Sequence, residues 1–285
     1  MQDFDSQAQA FRTLVEQELA DGKLNFPTSL DASIRIKRLA DDPDASLDDI
    51  ARVVTTEPVL SARVVRMANS VAVNPYGATI DGVGGAVRRI GLSALRGVAL
   101  AVAAEQLAHD QRSYNMRIVA SGLWRHSVDV ACWAHAIARQ SRAVAPDAAL
   151  LAGMMIDIGQ FYLVSRASAF PAMENQIDRF AALVVSLDAP IGRAILDDFG
   201  LPEEIVGAYA HDDEYSGAWP PDNLGDLVFV AKAVSDAPNP FDNLLGRSRR
   251  SLDAFLPSSL SGELVRDAIA SARASRQEMH AAICA

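Results

Sequence analysis

Two residues pose the chemical question in this chain. His126, in LWRHSVDV, supplies an imidazole, and Asp157, in MMIDIGQ, supplies a carboxylate. Such side chains can begin a carboxylate-bridged metal site. Both lie in the stretch Ser121 to Leu163, where two apolar helical runs flank a break from Ser141 to Pro146, the pattern of a helical hairpin. His126 precedes the midpoint of the break by about 17 residues and Asp157 follows it by about 14. At 1.5 Å rise per residue they sit within roughly 5 Å of the same level along the hairpin axis. Metal sites in helical bundles start from facing side chains of this kind. Here the residue before Asp157 is Ile156, which has no lone pair to give. The expectation is a partly buried His126 hydrogen-bonded to Asp157, with the carboxylate fixing the hairpin, because a buried carboxylate needs donors.

The remaining polar candidates have weaker patterns. His211, Asp212, Asp213 and Glu214 could hold a divalent cation but read as an exposed acidic helix end. Trp124 is the aromatic placed to line a small pocket beside His126; core packing is the simpler reading. Cys132 with Trp133 reads as core. Neither Cys132 nor Cys284 has a metal or redox spacing, so a reducing compartment fits. His109, His135 and His280 have no partner pattern. Asn69-Ser70 closes a helix and is expected to satisfy orphan carbonyls. There is no G-x-S-x-G, P-loop or Rossmann fingerprint, and Gly82, Gly84 and Gly85 do not follow a strand.

Composition narrows the function classes. The chain has 285 residues, 50% of them apolar and 22% charged, enough for one large folded domain or two modest ones. Its net charge of −10 argues against nucleic acid, whose affinity for proteins comes largely from Lys and Arg. The basic run Arg247, Arg249 and Arg250 reads as a solvated loop face. The start MQDFDSQAQAF lacks a basic n-region and an apolar h-region. The longest apolar runs, such as Gly97 to Ala104, fall below the 18 or so residues that span a bilayer. The expected location is the cytoplasm.

The elements that must position these residues are all helical, since no run alternates at period two. Phe4, Phe11, Leu14, Val15 and Leu19 mark a first amphipathic helix over residues 2–21. Pro27, Ser29, Leu30, Ile34 and Leu39 mark a second. Ser46 and Asp49 form a capping-box signature before Leu47, Ile50, Ala51 and Val54. Pro58 opens the next helix, the loop NPYGAT ends it, and Gly91 caps the helix that follows before Leu92 resumes the period. Pro171 and Pro190 punctuate later helices. Residues 237–257 read as irregular, and a last amphipathic helix spans about Leu260 to Ile283.

At this point five stretches, in order, resemble the HDOD domain, a bacterial output domain related to the HD metal-dependent phosphohydrolases. They are FPTSLDASIRIKRLADDPDASLDDIARVVTTEPVLSARVVRMANS, AVRRIGLSALRGVALAVA, LWRHSVDVACWAHAIA, LLAGMMIDIGQFYL and FGLPEEIVGAYAHDDEY. The resemblance implies an all-α HD-like bundle of two packed helical subdomains. Its expected division is an N-terminal helix at 1–23, the HDOD domain at 24–216 (subdomains 24–110 and 111–216) and a helical C-terminal extension at 217–285.

The same resemblance maps HD-type ligand positions onto this chain. His126 matches the first histidine. Ile156-Asp157 matches the His-Asp pair with its histidine replaced. Asp188-Ala189-Pro190 falls where two-metal relatives have another histidine. His211-Asp212 falls where some have His-His. Lys232 or Asp236 would hold the last, aspartate position. A hydrolytic centre needs converging ligands and an open position for water. No catalytic residue, no metal and no other cofactor are therefore expected, and His126, Asp157, His211 and Asp212 are remnant positions. The implied function is a non-catalytic bacterial signalling module, partnered by a separate signalling protein or a small ligand at or beside Trp124, His126 and Asp157, without membrane contact. The alternatives are a phosphohydrolase of nucleotides or cyclic dinucleotides with a reduced ligand set, and an adaptor that associates through its first or last helix.

Overall fold

The computed structural model describes residues 4–22, 24, 35–36, 38–39, 42–71, 73–75, 77–109, 113–210, 215–247, 252–256 and 262–284. Among them there is no strand. Helix α1 (Phe4–Ala20) is followed by α2 (Leu47–Thr55), α3 (Pro58–Asn69), α4 (Val83–His109), α5 (Tyr114–Ser141), α6 (Pro146–Met155) and α7 (Ile158–Ala167). Then come α8 (Pro171–Asn175), α9 (Ile177–Asp198), α10 (Glu203–Ala210), α11 (Leu224–Val234), α12 (Pro240–Leu244) and α13 (Gly262–Cys284). The second helix expected near Pro27 to Leu39 lies largely outside the described residues.

Helix α5 is the axis. Ser113 caps its start by accepting from the Met116 amide at 3.3 Å, and Arg142, in the left-handed region at φ 57°, ends it. Every residue from His126 to Ala138 is buried. A helix apolar on all sides must be surrounded, and α4, α6, α11 and α13 pack around it. Small residues set the closest approach. A Cβ at Gly153 of α6 would lie 2.4 Å from the Ala131 Cα, so α6 meets α5 backbone to backbone.

Several local expectations hold. Ser46 and Asp49 form the reciprocal capping box of α2. Asn69 donates to the Val65 and Ile80 carbonyls and accepts from the Ile80 amide, pinning the loop of the 70s to the end of α3. Gly91, at φ 76°, breaks α4 where the cap was read.

Three expectations are corrected. The second arm of the hairpin is two helices, parted at Ile156-Asp157. Pro190 lies inside α9 rather than ending it; Pro190 and Ser186, one turn earlier, are both exposed, so the carbonyl that loses its partner can turn to water. Residues 237–257 contain α12, which Asn239 caps.

The apolar span Pro146–Ala167 is long and apolar enough, by length and composition, to cross a membrane, longer than the runs read from the sequence; the 18 residues of it that meet that test are 89% buried inside the bundle.

The first and last helices close the bundle. Phe11 of α1 is fully buried, edge-on to Phe170 and Phe180. Buried Glu18 accepts from the Tyr162 hydroxyl and from Arg166, each at 2.5 Å. At the other end Val265, Ala272, Met279 and Ile283 of α13 are buried, facing α5 and α3. The contact of α6 on α5 predicts that Gly153→Ala forces backbone apart and costs about 1–3 kcal/mol. It should lower the denaturant midpoint at unchanged m-value.

Candidate functional site

Asp157 is placed by a break in the chain. Helix α6 stops at Met155, and Asp157, at φ −113° and ψ 14°, stands at the N-cap of α7 without capping it. Its carboxylate instead faces the interior and is 2% exposed. Ser127 of α5 donates to Oδ2 at 2.6 Å. Asn239 Nδ2 donates to Oδ1 at 2.8 Å and also to Gln160 Oε1 at 2.9 Å. Gln160 Nε2 donates to Asp188 Oδ2 at 2.9 Å, and the Tyr209 hydroxyl donates to Asp188 Oδ1 at 2.7 Å.

The direction of every bond is fixed. Asn239 Oδ1 accepts from the Phe241 amide at 2.8 Å, so its amino group must face Asp157. The Gln160 oxygen must then face that amino group, leaving its own amino group for Asp188. The network joins α5, α7, α9, α10 and the cap of α12. Glycines make the room: a Cβ at Gly159 would meet Asp188 Oδ1 at 2.3 Å, and one at Gly192 would meet the Tyr209 hydroxyl at 1.9 Å.

His126 does not bond Asp157. Its Nδ1 lies 2.6 Å from the Ala237 carbonyl oxygen. A carbonyl only accepts, so Nδ1 carries the proton. Asp157 is reached by Ser127, the next residue around α5, while His126 turns to the segment after α11. The two residues share a level, as the hairpin arithmetic required, but not a direction.

That segment is organised by a second buried carboxylate. Asp129, 1% exposed, accepts at Oδ2 from the Ser235 hydroxyl at 2.7 Å and from the Asp236 and Ala237 amides at 2.7 and 3.3 Å. At Oδ1 it accepts from Arg276 of α13 through Nε, at 2.8 Å, and through NH2. Burial pushes its carboxyl up, but Ser235, Arg276 and the Asp236 amide outweigh burial and hold it below the usual carboxylate range.

The other predicted positions stand apart from Asp157. Trp124 packs in the core under Arg63, whose guanidinium lies 5.7 Å from the ring centroid. Lys232 sits in the last turn of α11. The Asp236 side chain is 63% exposed, 3.9 Å from Arg276. His211 and Asp212 lie outside the described residues. His135, more than two turns along α5 from His126, is buried with its Nδ1 unpartnered. Burial first, and the charge of Arg139 second, bring it down to about 4.

These donors do not fit a metal. Beside Asp157 stands an isoleucine, and both Asp157 oxygens face hydrogen-bond donors, one of them an amide nitrogen held in place by the α12 cap. The His126 nitrogen turned to Ala237 carries a proton. Among the described residues no three His, Cys, Asp or Glu side chains converge to hold an ion.

Ser127, Asp129, Gln160, Asn239 and Arg276 escaped the sequence reading. Two of them had a signal. Asn239-Pro240 is an N-cap followed by proline at the first helical position. Asp129 is the single acidic residue of α5 and lies in its most apolar stretch, and such residues are rarely buried unpaired.

Two outcomes follow. Asn239→Ala removes a cap and one of the two donors to a buried carboxylate, so it should cost about 2–4 kcal/mol. A double-mutant cycle with Ser127→Ala, read by chemical denaturation, should be non-additive. The second concerns acid. The neutral form of His135 is favoured in the fold, so between pH 6.5 and about 4 the unfolded chain binds more protons. Stability is full above pH 6.5 and falls by up to about 3 kcal/mol across that window. Asp129, whose folded value is depressed, adds a further loss below its ordinary value of 3.8. His135→Gln should remove most of the first stage, leaving the share of His280, which burial and Arg276 also hold below its ordinary value of 6.5, and keep the second.

The HDOD domain family matches residues 26–215. A crystal structure from Shewanella amazonensis, of a protein provisionally named a metal-dependent phosphohydrolase, superposes with a TM-score of 0.70 at 25% identity, covering 98% of this chain and 99% of that one. An HDOD domain protein of unknown function from Geobacter sulfurreducens gives 0.57 at 22% identity over 99% and 98%. A protein from Marinobacter aquaeolei, provisionally named a signal transduction protein, gives 0.58 at 18% identity over 97% of this chain and 65% of that one. No curated protein matches. With two thirds of its length matched and the helical architecture shared, the chain belongs to the HDOD domain family.

Proposed function

We propose that this protein is a non-catalytic regulatory module of bacterial signal transduction that works in the cytoplasm by binding a separate protein. One observation carries the reading: each oxygen of the buried Asp157 carboxylate accepts a hydrogen bond, from Ser127 and from Asn239, and Ile156 stands beside it. A hydrolytic centre needs a carboxylate free for a cation and a place for its water. Here Ser127, Asn239 and Gln160 are hydrogen-bonded together around Asp157, which supports a structural role for the remnant site and a partner bound elsewhere on the surface. What the family resemblance implies points the same way, as does the Marinobacter relative's name.

A phosphohydrolase is the second reading, favoured by the name of the Shewanella relative that matches nearly end to end. The two separate by elemental analysis of protein purified without chelator or affinity-tag metal, followed by phosphomonoesterase and phosphodiesterase assays with added manganese or iron. The proposal expects less than about a tenth of an equivalent of transition metal and no turnover. One or two equivalents, lost in both His126→Ala and Asp157→Ala, with turnover lost alongside, would overturn it.

A further inference from the structure

Helix α13 carries an unusual stripe. Val265, Ile269, Ala272, Arg276, Met279 and Ile283 follow one another at steps of four and three, the spacing of a coiled-coil seam. Val265, Ala272, Met279 and Ile283 are buried and Ile269 is partly so. The seam faces α5, and its one charged member, Arg276, sits between Ala272 and Met279 with a side chain only 17% exposed. A single buried polar residue in such a seam fixes register at a cost in stability. Arg276 meets Asp129 and also lies over the Trp133 ring, 5.7 Å from its centroid.

Asp129 is a junction rather than an end point. Its Oδ1 belongs to α13, whereas its Oδ2 holds Ser235 and the amides of Asp236 and Ala237. The Ala237 carbonyl holds His126, and two residues on, Asn239 holds Asp157 and Gln160. A continuous polar path therefore runs from the C-terminal helix, through the turn at 235–239, into the remnant HD site and on to Asp188 and Tyr209.

We infer that α13 is a docking strap whose seating on α5, keyed by Arg276 on Asp129, sets the geometry of the 235–239 turn and through it the Asp157 network. Undocking α13 withdraws Arg276, the cation bonded to Asp129 among the described residues. Asp129, 1% exposed with α13 seated, then opens to water at Oδ1 and keeps the Ser235 hydroxyl and the Asp236 and Ala237 amides at Oδ2. Losing the cation and gaining water on one oxygen changes the charge that the turn's donors face on the other, and the turn shifts with it. The seam itself is slight, with one alanine among its four fully buried members, so its hold on α5 depends on the polar key. This coupling concerns how the two ends of the path move and stands whether or not the core hydrolyses anything.

Hydrogen exchange read by mass spectrometry on the full chain tests it with two variants. Arg276→Met keeps length and apolar stem but removes the key. Met279→Ala weakens the seam one turn away and leaves Arg276 and Asp129 intact. Both should raise exchange in α13, and both should raise it at least about tenfold in peptides covering 235–242, while the α1 and α9 peptides stay at wild-type protection. Faster exchange in α13 with 235–242 unchanged would show a helix that docks without controlling the turn, and would overturn the inference. So would a change at 235–242 in Arg276→Met alone, which would reduce the effect to the local charge on Asp129. Wild-type exchange of α13 in both variants would sink the strap itself.

Discussion

The constraint on which the rest of this molecule depends is the cost of keeping the Asp157 carboxylate in the dry interior without a cation beside it. An isolated charge in such a place is prohibitively expensive, and donors must be found for both oxygens. Two neutral donors are supplied, the Ser127 hydroxyl and the Asn239 amide. Each donor is itself fixed by secondary structure. Ser127 is held on the central helix, and Asn239 is held because its oxygen caps α12. The carboxylate thereby sets where α5, the α6–α7 break and the cap of α12 meet. Its second consequence is chemical. Each lone pair drawn into this network is withdrawn from any ion, so the bonds that hold the core together count against a metal at Asp157.

Much of the fold was legible in the sequence because it rests on local rules. Proline at the first position of α3, α6 and α8, the capping box at Ser46 and Asp49, and the break at Gly91 are short-range chemistry, and they read off the chain directly. The failures have an equally physical source. Pro190 suggested a stop, but a proline whose lost bond faces solvent can ride within a helix. Residues 237–257 looked irregular because a five-residue helix shows no periodicity; only Asn239-Pro240 announced it.

The candidate site was legible to the extent that one-dimensional geometry reaches. Rise per residue placed His126 and Asp157 at one level, and they are at one level. It carries no information on azimuth, and one residue along a helix is about 100° of rotation. That rotation gives Asp157 to Ser127 and sends His126 to Ala237. The Asp129–Arg276 pair joins residues 147 positions apart; no local pattern could pair them, although a heptad seam with one charged member shows that a buried counter-ion must exist somewhere.

The two buried carboxylates solve the same problem in different ways, and the difference shapes how the parts can move. Asp157 is held by neutral donors from elements deep in the bundle, and one of them, Asn239, also caps α12 and bonds Gln160. Disturbing it breaks several bonds in five elements at once, so it behaves as a fixed post. Asp129 leans on a cation carried by the last helix, on the outside of the bundle, where one side chain supplies both of the bonds to Oδ1. It is the part of the polar interior that an event at the surface can reach, because withdrawing Arg276 changes its charge balance without first unpacking the core. Ala237 and Asn239 lie two residues apart in the turn between these carboxylates, so a short stretch of backbone carries the connection from the Asp129–Arg276 ion pair to the Asp157 network. A fold with a closed, satisfied centre and one charge-balanced edge is suited to reporting a change at its surface, whereas a hydrolytic fold needs its vacancy at the centre.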